Sequence, residues 1–238
     1  MPDNPHAQGY LLTSADRLWG PRNQEVAALF RTAEAFAHGP RVWQAEQDYL
    51  AGIKRDSIKQ FLVKHQDVQE YSEDDPLLRL AVSRSMLDAA EDVAGESVRL
   101  FSAEIWSILP DCAARPREWS HNWHRDPEAS PCIKAMLFFR DVTEESGPFE
   151  YVAGSHSKYG ELCRPGRYAD QSAAERIPAA DTRRFLCQAG TVLLANTGGI
   201  HRGGYTRGRP RLNAVWTYLP SRLDFQPRYS LHPVGVSA

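Results

Sequence analysis

The residues best suited to chemistry are His124 and Asp126, within HNWHRDPEASP at 121–131, and His201, within TGGIHRGGYTRGRPRLNAVWTY at 197–218. Side chains at i and i+2 of a strand share a face, so an imidazole and a carboxylate at that spacing can converge on one metal ion. Taken alone, the pair also fits a hydrogen-bonded surface turn. The WHRD tetrad is not a kinase catalytic loop, because no asparagine stands five residues after Asp126 and no glycine-rich phosphate loop or DFG accompanies it. VAGSHS lacks the second glycine of a hydrolase nucleophile elbow. His201 follows an apolar run far downstream of Asp126, and a closed or sandwiched β-sheet returns such residues to one mouth. Two histidines and a carboxylate leave coordination positions open, the donor set suited to non-haem Fe(II) oxygenases. Arg211, which opens the next strand-like run, supplies a planar fork for a carboxylate. Two rivals stay open: a zinc or manganese hydrolase or isomerase on a β-barrel using the same three residues, and a non-catalytic β-sandwich binding module. A hydrolase has no need of a fixed carboxylate clamp, so Arg211 weighs against the first.

Positioning these groups falls to a helical front, about 1–97, and a β-rich back, about 98–220. Apolar residues recur at helical spacing over 23–39, ending at Gly39-Pro40. A second helix is expected over 75–96, with Asp75 as N-cap and Pro76 in the first turn. Residues 98–109, 132–142, 190–197 and 211–219 are β-branched or aromatic runs bounded by turn residues, and read as strands. GPFEYVAGSH at 147–156 reads as a short strand between turns. Helices followed by short strands without helical crossovers predict a mainly β, α+β domain spanning 1–238, a sandwich or jelly roll with helices outside one sheet. Residues 157–184 are too long for a hairpin loop and carry Arg164, Arg167, Tyr168, Arg183 and Arg184 around a helix-prone Ala169–Arg176. They fit either a solvated surface excursion with salt-bridged arginines or a lid over a small polar substrate bearing a carboxylate or phosphate, such as an amino-acid-derived or natural-product intermediate. His121 and His156 lie near the motifs, and His6, His38, His65 and His232 are expected on the surface.

A net charge of −2 gives no electrostatic reason to expect nucleic acid or a membrane surface as partner. The opening residues lack the pattern of a secretory signal, and no apolar stretch reaches the roughly 20 residues needed to span a bilayer. Cys112, Cys132, Cys163 and Cys187 show no CxxC pairing, so reduced thiols and a cytoplasmic location are expected, for a monomer or homodimer.

In order, WHRD, GPFEYVAGSH, GGIHRGG and RPRLNAVWTY resemble the phytanoyl-CoA dioxygenase-like family of Fe(II)/2-oxoglutarate oxygenases, over roughly 98–220 with a vaguer likeness in the front. The resemblance implies a double-stranded β-helix (jelly-roll, cupin-like) core with His124, Asp126 and His201 as Fe(II) ligands. It implies Arg211 as partner of the far carboxylate of 2-oxoglutarate, with Met136 lining the cosubstrate pocket. The implied activity is oxidation of a small molecule by O2, most simply hydroxylation, with release of succinate and CO2. Several relatives carry serine two positions after the distal histidine; here that residue is Gly203, so any hydroxyl assisting Arg211 comes from elsewhere. Halogenating relatives replace the carboxylate ligand with a small residue, whereas this chain keeps Asp126.

Overall fold

The computed structural model describes residues 4–110, 119–128, 130–208 and 210–232. Cys112 lies outside them; Cys132, Cys163 and Cys187 are free thiols.

The front is a set of capped helices with strands threaded between them. Helix α1 (Pro5–Gln8) leads into β1 (Tyr10–Ser14), and α2 (Ala15–Trp19) follows directly. The Asn23 carboxamide accepts from the first amides of α3 (Gln24–Ala37), and Pro40 sits in the first turn of α4 (Pro40–Ala51). Two short strands, β2 (Leu62–Lys64) and β3 (Gln69–Ser72), precede α5 (Pro76–Ala81) and α6 (Arg84–Ala94). The single helix expected over 75–96 is therefore two. Ser83 explains the break: its Oγ donates to Leu80 O (2.8 Å) and accepts from the Trp19 indole (2.9 Å), so a tertiary contact fixes the chain where the hydroxyl competes with helical bonding.

The back supplies β4 (Val98–Ile108), β5 (Ile133–Phe138), β6 (Phe149–Val152), helix α7 (Gln171–Glu175), then β7 (Thr182–Arg184), β8 (Thr191–Asn196), β9 (His201–Gly203), β10 (Arg211–Pro220) and β11 (Tyr229–His232). An antiparallel six-stranded sheet runs β1-β8-β5-β10-β4-β2, and a three-stranded sheet runs β7-β6-β9. The front is thus not purely helical: β1 and β2 form the two edges of the large sheet. Strands β11 and β3 pair in parallel as a small third sheet, which carries β structure past residue 220.

Period-2 alternation sorts the side chains of the large sheet. Leu212, Ala214, Trp216 and Tyr218 of β10, with Ile133, Ala135 and Leu137 of β5, are buried with the helices. The Trp216 indole donates to Leu77 O (2.9 Å) and the Tyr218 hydroxyl to Ala81 O (2.8 Å), which ties α5 to the sheet. The opposite face puts Met136, Phe138 and Val215 against Phe149 and Tyr151 of the small sheet. This is the two-layer jelly-roll arrangement expected, with helices outside one layer. His6 and His38 are exposed, but His65, edge-on to Phe36, and His232 are half-buried rather than free on the surface. Among the described residues, no helix is long and apolar enough to cross a membrane.

Candidate active site

After a 3-10 turn at Trp119–His121 the chain runs extended, but His124 and Asp126 do not sit on a strand of any of the three sheets. The segment is gripped from both sides. His124 and His201 exchange backbone hydrogen bonds of 2.9 Å, and the Asp126 amide donates to Thr197 O (3.0 Å). On the other flank Arg125 N donates to Arg167 O (3.2 Å) and Ala169 N to Trp123 O (2.8 Å). Extended backbone preserves the alternation on which the i, i+2 argument depends. Arg125 accordingly points away, donating to Gly198 O (2.7 Å) and Lys158 O (2.6 Å). His201 reaches the site through a tight turn at 197–200. Gly199 is required there, because any side chain would overlap the Tyr151 ring.

The ligand atoms of His124, Asp126 and His201 lie within 4.8 Å of one another. Nε2 of His124 is 3.8 Å from Asp126 Oδ1, and Nε2 of His201 is 3.7 Å from Oδ2. Each Nδ1 faces a backbone carbonyl, Asn122 O at 2.8 Å and Gly199 O at 3.0 Å. A carbonyl only accepts, so the proton belongs on Nδ1 and the lone pair on Nε2 faces the carboxylate. Burial, with His201 alongside, pulls His124 down to about 3 against the opposing pull of Asp126. His201 is lowered by burial as well, so both are neutral donors near pH 7. Burial alone would raise Asp126, but the Lys134 ammonium, with Nζ 2.7 Å from Oδ2, outweighs it and holds the carboxyl well below its usual range. Lys134 is in turn raised by Asp126 despite its burial. Two neutral imidazoles and one ionised carboxylate suit a divalent first-row metal.

Arg211, the first residue of β10, opens into the same cavity as the triad, with Met136 and Phe149 on its apolar wall. Its Nη1 is buried without a hydrogen-bond partner among the described residues. Burial lowers the guanidinium to about 10, still cationic near neutrality. Such an orphaned donor is what a bound carboxylate would satisfy. A Cβ on Gly203 would fall 3.7 Å from Arg211 Nη2, so the residue that replaces serine does lie beside the arginine and contributes no hydroxyl.

The structure thus gathers His124, Asp126, His201, Arg211 and Met136 around one cavity. His121 also lines it, stacked on Phe61 at 4.0 Å, whereas His156 packs near His6 away from it. Sequence reasoning missed Lys134, whose signal was its position two residues before Met136 on the same face of β5. It also missed Lys59, Trp106 and Asn213 in the lining. Residues 157–184 are docked rather than loose: Leu162, Cys163 and Ala173 pack with Trp123, Val152 and Ile200. The helix within them is α7, capped by Asp170. Tyr168 lies against His124 (5.4 Å between rings), while Arg184 pairs with Glu144. Of the five loop residues named above, Arg167 and Tyr168 border the opening beside Asp126, and Arg164, Arg183 and Arg184 border neither it nor the triad cavity.

A family sequence model described as phytanoyl-CoA dioxygenase (PhyH) matches residues 6–210, most of the chain. The chain belongs to the phytanoyl-CoA dioxygenase family. Solved structures agree on the fold. The epimerase SnoN from nogalamycin biosynthesis, in complex with Fe3+, alpha ketoglutarate and nogalamycin RO, is 18% identical with a TM-score of 0.60, covering 94% of this chain and 84% of its own. EctD from S. alaskensis with 2-oxoglutarate and 5-hydroxyectoine is 19% identical with a TM-score of 0.59, covering 95% and 85%. The carbocyclase SnoK is 18% identical with a TM-score of 0.55, covering 93% and 83%. No curated protein matches the chain significantly. Members of this fold therefore include an epimerase and a carbocyclase as well as EctD.

Proposed function

We propose that the chain is an Fe(II)- and 2-oxoglutarate-dependent dioxygenase that hydroxylates a small molecule. The observation that carries this reading is the buried, unpartnered Arg211 Nη1 opening into the same cavity as the His124–Asp126–His201 triad. Family membership and the iron and 2-oxoglutarate bound by structural neighbours support it. His124 and His201 would hold the metal through Nε2 and Asp126 through its carboxylate. When bound, iron with 2-oxoglutarate supplies oxidation of a substrate C–H bond by O2, with succinate and CO2 released.

The protein's own part is orientation and exclusion. The carbonyls of Asn122 and Gly199 hold the two imidazoles in one tautomer. Lys134 keeps Asp126 ionised and fixes its rotation. Arg211 would grip the far carboxylate of 2-oxoglutarate, and Met136 and Phe149 would keep water from that end of the cavity. Anaerobic addition of Fe(II) and 2-oxoglutarate should produce the visible absorption of a chelated 2-oxo acid, and air should then release succinate. A protein that turns over only with zinc or manganese and ignores 2-oxoglutarate would be the rival hydrolase or isomerase.

A further inference from the structure

Around the two openings that share Lys59 and Lys134 with the triad cavity, most charges are already matched. Lys134 is taken by Asp126 (2.7 Å). Lys64 is taken by Glu104 (2.5 Å), which also accepts from Gln69 (3.0 Å) and the Trp106 indole (2.8 Å). Arg167 is exposed, and Arg228 stacks on Phe101 at 4.8 Å. Two groups of opposite sign remain. Lys59 borders the triad cavity and both neighbouring openings, and its ammonium has no hydrogen bond or ion pair among the described residues. Burial, reinforced by Lys134, lowers its pKa against the opposing pull of Asp126 and Glu128. Glu128 borders the same two openings, with Oε2 buried and without a partner. No ion pair joins the two, although each faces the same space.

An unpaired ammonium and an unpaired carboxylate oxygen both carry a desolvation cost that a ligand with the complementary charges would remove. We propose that Lys59 and Glu128 form the recognition site for a zwitterionic substrate, a free α-amino acid or close derivative whose carboxylate meets Lys59 and whose ammonium meets Glu128. The ligand's side chain would then lie toward the triad, in the cavity that Lys59 also borders. A simple anion would satisfy Lys59 and leave Glu128 unanswered. This inference rests on the oxygenase reading above.

The test uses the intact protein loaded anaerobically with Fe(II) and 2-oxoglutarate. Free L-amino acids are titrated beside their N-acetyl and carboxamide derivatives, with the Fe(II)–2-oxoglutarate absorption and isothermal titration calorimetry as readouts. At least one free amino acid should bind and perturb the absorption, and both blocked forms of it should bind about ten- to a hundredfold more weakly. Lys59→Gln and Glu128→Gln should each weaken the free amino acid by a similar factor. Blocked forms that bind as well as the free acid, variants that bind it unchanged, or a panel that leaves the absorption unperturbed would each overturn the inference. Absence of the Fe(II)–2-oxoglutarate absorption in the unaltered protein sinks the underlying oxygenase reading instead.

Discussion

Asp126 carries two loads, since its carboxylate faces two imidazoles and a buried ammonium at once. Alanine at His124, Asp126 or His201 should abolish Fe(II) binding and succinate release, and full activity in any one of them would remove that residue from the ligand set. The three variants should not be equally stable. Asp126→Ala strands Lys134 and should lose about 3–5 kcal/mol in urea unfolding of the metal-free protein, while Asp126→Ala with Lys134→Met should recover much of it. Arg211→Lys replaces a fork with a point charge. It should weaken 2-oxoglutarate binding by about 2–5 kcal/mol in anaerobic titration; a change confined to the main substrate would give Arg211 a different role. With Asp126 as a metal ligand no position is left for a halide, so product formed in chloride buffer should be oxygenated, dehydrogenated or cyclised rather than chlorinated, as mass spectrometry will report. The residues that the structure gathers around one cavity, His124, Asp126, His201 and Arg211, were singled out from residue type, spacing and the family resemblance together. Lys134, Lys59 and Glu128 were not, because a lysine or glutamate is ordinary until tertiary structure buries it and assigns or withholds its partner.

At the level of elements, β10 and α5 are joined by two side-chain donors that no periodicity reveals. Tyr218→Phe leaves the buried Ala81 carbonyl without its donor and should cost about 1–3 kcal/mol. Trp216→Ala removes a fully buried indole as well as its bond to Leu77 and should cost about 3–5 kcal/mol. Chemical denaturation measures both, and a Trp216 variant as stable as the parent would contradict the packing described. The strands over 98–109, 132–142, 190–197 and 211–219 were readable because alternation and turn residues bound them on both sides. The short strand β1 was not, since five residues between two helices offer too little alternation to read, and its strand character comes from pairing with β8. The break at Ser83 was hidden for the same reason: its cause is Trp19, 64 residues away. His124 and Asp126 were placed on one face correctly and on a strand wrongly, because their neighbours are loops and a three-residue strand.

For the molecule as a whole, histidines that packing shields from water should lower stability toward acid. Burial lowers His65 and His156, and in the metal-free protein His124 falls to about 3. The unfolded chain, with histidines near 6.5, takes up protons first as pH falls, so stability is full above about 6.5 and declines below it toward the folded values. Each such histidine contributes at most about 1.4 kcal/mol per pH unit. The urea midpoint of the metal-free protein should therefore drop between pH 7.5 and 5.5, and drop less in His65→Gln; a flat profile would show these rings to be solvated. The strand order has a consequence for biosynthesis. β10 lies between β5 and β4, yet the ribosome makes it after both. Until residue 220 has emerged, β4 and β5 each wait with an open hydrogen-bonding edge, and the turn leading to His201 has no finished sheet behind it. Such edges invite pairing with other chains. A nascent chain halted before Arg211 should therefore be a client for chaperones, and the candidate metal-binding residues should come together only once translation has passed the last strand of the large sheet.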